Sequence, residues 1–347
     1  MQAELLTETE ATETVWIGID VADQTVDAAL HQEGGRGAAA VFPRTPKGMA
    51  ELAAWARREA GQGANLRAVM EATGRFSTQA IAWLLEADSA IAPACVNPLH
   101  AKRFGQSLGV RNKTDRTDAR VLARMGAERK PTPYEAPDKL TLELRSLVRE
   151  RRGLVTERES TRLQIKAGSD SAFVDKQRER RLKELVKAVA RMDAEIARVV
   201  ATDAKMSADV KRLMTIPGVG IVTAVAMLAE LGDLRRFTSG RQLAAFAGVS
   251  PRRCESGSSV RGRTRMSKQG SPVARAILYM SAVTAKGQGK EMAETYERLL
   301  AAGKKPKSAL GAIMRKQLVL MRALLVTGKD YEPPVNNLAL KEGKTVA

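Results

Sequence analysis

The sequence predicts three parts. They are an α/β domain over residues 13–130, coiled-coil helices over 138–205, and a mostly α-helical domain with a helix-hairpin-helix-like element over 206–330. Three observations predict this. Short apolar runs alternate with amphipathic stretches as far as the Pro-rich break "PTPYEAP" (131–137). Beyond it, apolar residues recur at 3-4 spacing. Further on, "IPGVG" separates two helical segments. Residues 331–347 have no such pattern and read as a disordered tail.

The first domain opens with "VWIGIDV" (15–21), an apolar run that reads as a buried strand. "QTVDAALH" and "GAAAVFP" follow across the Gly-rich "QEGGRG" and complete a three-strand meander. "TPKGMAELAAWARREA" is a helix capped by Thr45, with Pro46 at its first position. "LRAVMEATG" is a strand ending at Glu71, and "STQAIAWLLEA" is a helix. "AIAPACVNP" is a short strand stopped by Pro98, and a last helix starts at about Thr114. The order β-β-β-α-β-α-β-α is that of RNase H/RuvC-like domains.

In that order four acids fall at places that converge. Asp20 ends the first strand, Glu71 ends the fourth, and Asp115 and Asp118 lie three apart at the start of the last helix. Taken singly, each acid is equally a strand-end or cap residue, because Asp is favoured at helix N-termini. Taken together, four carboxylates without a histidine make an oxygen-rich site for a hard cation, Mg²⁺ or Mn²⁺. Such ions stabilise the attacking and leaving oxygens of a phosphodiester. A cation would also relieve the repulsion between Asp115 and Asp118.

Charge supports a polyanionic partner. The 347 residues carry 57 Lys+Arg against 39 Asp+Glu, a net charge of +18, so nucleic acid is the simplest ligand. Aromatic residues are only 4%, so phosphate contacts should carry most of the affinity. Cys95 and Cys254, with His31 and His100, show neither zinc spacing nor a disulfide framework. The acidic "MQAELLTETEATET" lacks a signal core, and no run is long enough to span a membrane. A reducing bacterial cytoplasm is the expected location.

In the second part, Leu140, Leu144, Leu147, Leu154, Thr161 and Ile165 form a seam interrupted by Arg151 and Arg158. After "KAGSDSAFVD", the residues Leu182, Leu185, Val189, Met192, Ile196 and Val199 continue it. These helices could pair within the chain or between chains. In "IPGVG", Gly218 and Gly220 allow a tight turn, and the backbone N–H groups of the next helix could take a phosphate. An ordinary core hairpin would look the same.

The stretch "GVSPRRCESGSSVRGRTRMSKQG" reads as a loop, followed from Pro272 by a helix. Arg252, Arg253, Arg261, Arg263, Arg265 and Lys268 surround Ser256, Ser258, Ser259 and Ser267. One reading is a plain phosphate-binding surface. The other is a serine nucleophile in a guanidinium cage, where arginines stabilise a phosphoryl transition state.

"IGIDV", "MEATG", "KTDRTDA", "IPGVG", "ESGSSVRGRTRMSKQG" and "ARAILYMSA", in this order, resemble the DEDD-type insertion-sequence transposases of the IS110 group, which include Piv-type DNA invertases. The resemblance spans about residues 13–330. It implies that Asp20, Glu71, Asp115 and Asp118 are the catalytic metal ligands. It also implies that Ser256, with Ser258 and Ser259 as close neighbours, forms a transient phosphoserine link to DNA. The implied partners are donor and target DNA, a structured non-coding bridge RNA, and further copies of the chain in a dimer or tetramer. Two other functions compete: a RuvC-like structure-specific endonuclease that uses water, and a non-enzymatic basic nucleic-acid-binding protein.

Overall fold

The computed structural model describes residues 14–31, 37–61, 63–110, 114–256 and 260–333, apart from the side chains of residues 253–263. The chain forms two compact units, residues 1–136 and 137–347.

The first unit is built on a five-stranded sheet. Its strands are β1 (Thr14–Val21), β2 (Thr25–Leu30), β3 (Ala39–Pro43), β4 (Asn65–Glu71) and β5 (Ala92–Val96), in the order β3-β2-β1-β4-β5. The first three are antiparallel neighbours; β4 and β5 run parallel to β1. Helix α1 (Pro46–Ala60) starts as expected: the Thr45 hydroxyl accepts from the Gly48 N–H at 3.0 Å, and Pro46 needs no donor partner there. Helix α2 spans Arg75–Ala87.

One helix was not expected. Pro98 does not end structure but begins α3 (Pro98–Ser107), with the Asn97 side chain accepting from Leu99 N at 2.9 Å. Proline stops an incoming strand and suits the first helical position equally well, so its sequence signal is ambiguous. Helix α4 (Asp115–Arg129) closes the unit, capped by Thr114.

Alternation along β1 divides the unit into two layers. Ile17, Ile19 and Val21 pack with Met49, Leu52 and Ala56 of α1 and with Ile81 and Leu84 of α2. Trp16 packs on the other side with Phe104 of α3 and with Leu122 and Met125 of α4. Gly18 shares the Trp16 face. A Cβ there would sit 1.9 Å from the Ala119 carbonyl oxygen and 2.3 Å from the Ala123 nitrogen. The α4 backbone therefore lies directly on β1.

The second unit is helical apart from one β-hairpin. Helices α5 (Lys139–Ala167) and α6 (Ala172–Ala201) are long antiparallel partners within the chain. Leu185, Val189, Ile196 and Val199 of the seam are buried. Arg151, which interrupts the seam in sequence, pairs with Asp193 on α6, and Arg181 binds Glu157 at 2.6 Å. Helices α7 (Ala204–Met214), α8 (Ile221–Leu231), α9 (Gly240–Phe246), α10 (Pro272–Gln288), α11 (Lys290–Ala301) and α12 (Pro306–Thr327) surround the second core. Helix α8 is apolar on nearly every face and lies at its centre.

A polar tie joins three of these elements. Glu230, at the end of α8, has a side chain only 2% exposed and receives Arg149 of α5 at 2.6 and 3.0 Å. It also accepts from Ser271, the N-cap of α10, at 2.8 Å. Burial pushes the Glu230 carboxyl up, but the Arg149 and Ser271 donors and the nearby charges outweigh it, leaving the group below its usual range. At the end of the described chain, Tyr331 is docked: its hydroxyl donates to Glu291 and its N–H to Thr215 Oγ1. Tyr331 lies in the stretch expected as a tail, 331–347, of which residues 334–347 lie outside the described ones.

Two glycine substitutions should act with opposite sign. Gly18→Ala forces α4 off the sheet and should cost about 3 kcal/mol, as overpacking does. Gly153→Ala, in mid-α5 with nothing within 4 Å of its added Cβ, should gain about 0.5–1 kcal/mol from helix propensity. Urea unfolding of both variants checks the pair, and a neutral Gly18→Ala would contradict the close approach.

Candidate functional site

The sheet decides where each acid points. On β1, Asp20 alternates with Ile19 and Val21 and so shares the face of Trp16 and Gly18. On β4, Leu66, Ala68 and Met70 face α1 and α2, whereas Val69 faces α3 and α4; Glu71 follows Val69. Because β1 and β4 are parallel with Ile19 beside Met70, Asp20 and Glu71 emerge at the same end of neighbouring strands.

Helix α4 runs against β1. Gly126 lies on Trp16, while Ala119 and Ala123 lie on Gly18. One step further along, the first turn of α4 with Asp115 and Asp118 comes over the end of β1 where Asp20 lies. The Thr114 side chain accepts from the Thr117 N–H at 3.2 Å, and the positive end of the helix offsets part of the repulsion between the two carboxylates. Asp20, Glu71 and Asp118 are half-buried, and Asp115 is exposed.

A fifth acid joins this face. Asp27 on β2 is the direct cross-strand partner of Asp20, and its neighbours Val26 and Ala28 face the other layer. Burial, then the charge of Asp115, hold the Asp27 carboxyl above its usual range, with Arg116 acting the other way. "QTVDAALH" carried the signal, since an acid inside an alternating strand must point away from that strand's core face.

The donor set is all oxygen and suits a hard divalent cation. The structure brings the strand ends and the helix start together. Among the described residues, however, no group of three or more His, Cys, Asp or Glu side chains is arranged to hold a metal ion. Residues 111–113, which lead into α4, lie outside the described ones.

In the second unit the serine-bearing stretch is not the loop that the sequence suggests. It is an antiparallel hairpin of β6 (Pro251–Ser256) and β7 (Val260–Met266). Arginine and serine gave no apolar alternation, so the loop reading won; the short Gly-Ser-Ser link between two runs was the hairpin signal. Ser256 is the last residue of β6 and pairs through its backbone with Val260. Arg252 lies directly across from Arg265, both exposed, an opposition that costs stability unless an anion lies between. Lys268, just beyond β7, is exposed and has a left-handed backbone (φ 57°). The side chains of Arg253, Ser256, Arg261 and Arg263, and residues 257–259 with Ser258 and Ser259, lie outside the described ones.

Gly218 and Gly220 lie together in the turn between α7 and α8. Gly218 has φ 79°, and a Cβ there would lie 2.6 Å from Ala285 N and from the Ser281 carbonyl oxygen. Ser281 donates to the Gly218 carbonyl at 2.8 Å, and Gln317 donates to the Pro217 carbonyl at 2.9 Å. The turn is thus fixed on α10 and α12. Gly220 precedes α8, whose start has no side-chain cap. It opens on a depression of about 480 Å³ that Thr215, Thr284 and Gln288 also line.

Two family models match this chain. Residues 17–174, which hold all four expected acids, match a DEDD-type transposase of the IS110 group. Residues 210–297, which hold Ser256, match the transposase IS116/IS110/IS902 family. Pilin gene-inverting proteins of Moraxella bovis and Moraxella lacunata are each 28% identical over 331 residues, covering 92% of this chain and 98% of the relative. The transposase for insertion sequence element IS1111A of Coxiella burnetii is 28% identical over 189 residues, covering 47% of this chain and 51% of the relative. No helix among the described residues is long and apolar enough to cross a membrane.

The Asp27 environment makes a pH-dependent prediction. A carboxyl whose folded-state pKa is raised opposes folding when ionised. That cost is absent below the usual carboxylate range and complete above the folded-state value. Asp27→Asn should therefore raise Tm at pH 7, with the gain shrinking as the pH falls toward about 4. Calorimetry at the two pH values checks this; an unchanged or lower Tm at pH 7 would contradict it.

Proposed function

The chain belongs to the IS110 family of transposases, enzymes that cleave and rejoin DNA, and from that premise we propose a serine–phosphate route assisted by a divalent cation. Asp20, Glu71, Asp115 and Asp118 are the carboxylates that hold Mg²⁺ or Mn²⁺. The observation that carries this is their common placement: four acids from three separate segments fall at one end and on one face of the sheet. A bound cation supplies positive charge for the oxygens at phosphorus and relieves repulsion among the acids.

Ser256 is the nucleophile. Its Oγ attacks a DNA phosphodiester, forming a serine–phosphate ester and releasing a strand end as a free hydroxyl. The serine proton passes to a base or to water. In the second half, the hydroxyl of an incoming strand attacks the same phosphorus and the serine leaves. One phosphoester bond is exchanged for another at each step, so ATP is not needed. The place of Ser256 at the end of β6 supports this role, since the end of a strand can meet a bulky duplex. Arg252, Arg253, Arg261, Arg263, Arg265 and Lys268 take DNA phosphates, and the turn at Gly218 and Gly220 takes a further one.

A structured bridge RNA completes the partners in this reading, and the charge of +18 suits two nucleic acids at once. The working form is a dimer or tetramer. Supporting it, Leu163 and Phe173 stay 68% and 69% exposed near the α5–α6 turn although the two helices pair. The competing reading, a RuvC-like nuclease using water, differs in leaving no covalent product.

Purified protein incubated with Mg²⁺, its copurified RNA and DNA spanning the element's ends should give an SDS-resistant protein–DNA adduct. Ser256→Ala and Asp115→Ala should each lower its yield at least about a hundredfold, as loss of a nucleophile or a transition-state contact does. Cleavage without an adduct, unaffected by Ser256→Ala, would establish the water mechanism instead.

A further inference from the structure

Apart from Lys268, the root of the serine-bearing hairpin is built from residues that its proposed chemistry does not use. Phe246, the last residue of α9, is 47% exposed, although its ring is firmly held. Phe237 lies 5.1 Å away, tilted by 52°, and the Arg236 guanidinium lies over both rings, 5.1 Å from Phe246 and 4.8 Å from Phe237. Arg236 is itself fixed by a 3.0 Å bond to the Leu231 carbonyl. A ring supported in this way loses little side-chain entropy when a flat ligand covers its open side.

The backbone of Phe246 meets the turn that leaves β7. A Cβ at Gly270 would lie 2.3 Å from the Phe246 carbonyl oxygen. The same turn carries positive charge without a balancing acid among the described residues. Arg275 donates to the Gly270 carbonyl at 2.7 Å and takes part in no ion pair among the described residues. Burial holds its guanidinium below the usual range, the sign of a cation partly desolvated without compensation. Lys268 keeps its left-handed backbone because its N–H is bound to the Gly248 carbonyl at 3.0 Å. Next to it the Ser267 hydroxyl is buried without a hydrogen-bond partner. Glu230, which binds Ser271 at the end of this turn, is already taken by Arg149.

We propose that this root is a binding site for an unpaired DNA strand, in which Phe246 stacks on a base while Lys268 and Arg275 take the adjoining phosphate. An exposed ring whose backbone adjoins a turn with uncompensated cations is what single-stranded nucleic acid selects, since every base has a π-face and every link a charge. Duplex DNA offers the charge but hides the base faces. The choice of DNA rests on the strand-exchange reading above, which requires strands to part near Ser256. The site would hold a parted strand at the base of the hairpin whose far end carries the nucleophile.

The full chain is titrated with a labelled single-stranded DNA, the matching duplex and an RNA of the same sequence, by fluorescence anisotropy at several salt concentrations. Phe246→Ala should weaken single-strand DNA binding about tenfold or more, leave duplex binding within about twofold, and be rescued by Phe246→Trp. Lys268→Gly, which suits the left-handed backbone and so spares the fold, should lower the salt slope by about 0.7 for single strands. Arg275→Gln should weaken the single strand more than Arg275→Lys. Unchanged single-strand affinity in Phe246→Ala, an equal loss for duplex, or a loss confined to RNA would overturn the site while leaving strand exchange intact. Failure of the unaltered protein to bind either DNA would overturn both.

Discussion

The candidate acidic site depends on one missing side chain. Because Gly18 has no Cβ, the α4 backbone can lie on β1 with the Ala119 carbonyl and the Ala123 nitrogen where a methyl group would be. That approach fixes both the height and the direction of α4. Trp16 against Gly126 sets the far end of the helix, so its first turn must fall over the end of β1. The helix start that carries Asp115 and Asp118 is thereby placed over the strand end that carries Asp20, and the parallel pairing of β1 with β4 puts Glu71 at the same end. A larger residue at position 18 would lift the helix and separate acids that are remote in sequence.

Charge is distributed to match. A chain of net charge +18 gathers five carboxylates on one face of the first unit, where burial and then the charge of Asp115 hold the Asp27 carboxyl above its usual range. It sets arginine opposite arginine in the hairpin of the second. Each arrangement is unfavourable in isolation, and in the proposed function the opposite charge would relieve it: a cation for the acids, a phosphodiester for the arginines. Some charges of the second unit are internally balanced, as in Arg149–Glu230 and Arg151–Asp193.

Much of this was legible in the sequence, for physical reasons. The succession of strands along the first unit follows from apolar runs broken by glycine and proline, and the Thr45-Pro46 start of α1 is local chemistry. The seam of α6 reads directly because its 3-4 spacing is unbroken. Arg151 looked like an interruption because its partner Asp193 lies across the turn, a pairing that spacing within one helix cannot reveal. Proline hid the start of α3, and the arginine-rich hairpin hid as a loop because its strands are held by backbone pairing rather than by an apolar face. Asp27 escaped because its significance lies in register with Asp20, which exists only once the strands pair.

The central claim, that DNA is joined to Ser256, is tested most directly by locating the bond. Trypsin should cut after Arg253 and Arg261, so an adduct trapped in SDS and stripped of excess DNA by nuclease should yield the peptide "CESGSSVR", residues 254–261. The account predicts that fragmentation in the mass spectrometer places the residual nucleotide on Ser256. A nucleotide on Ser258 or Ser259, or a peptide that stays unmodified while DNA is cut, would contradict it.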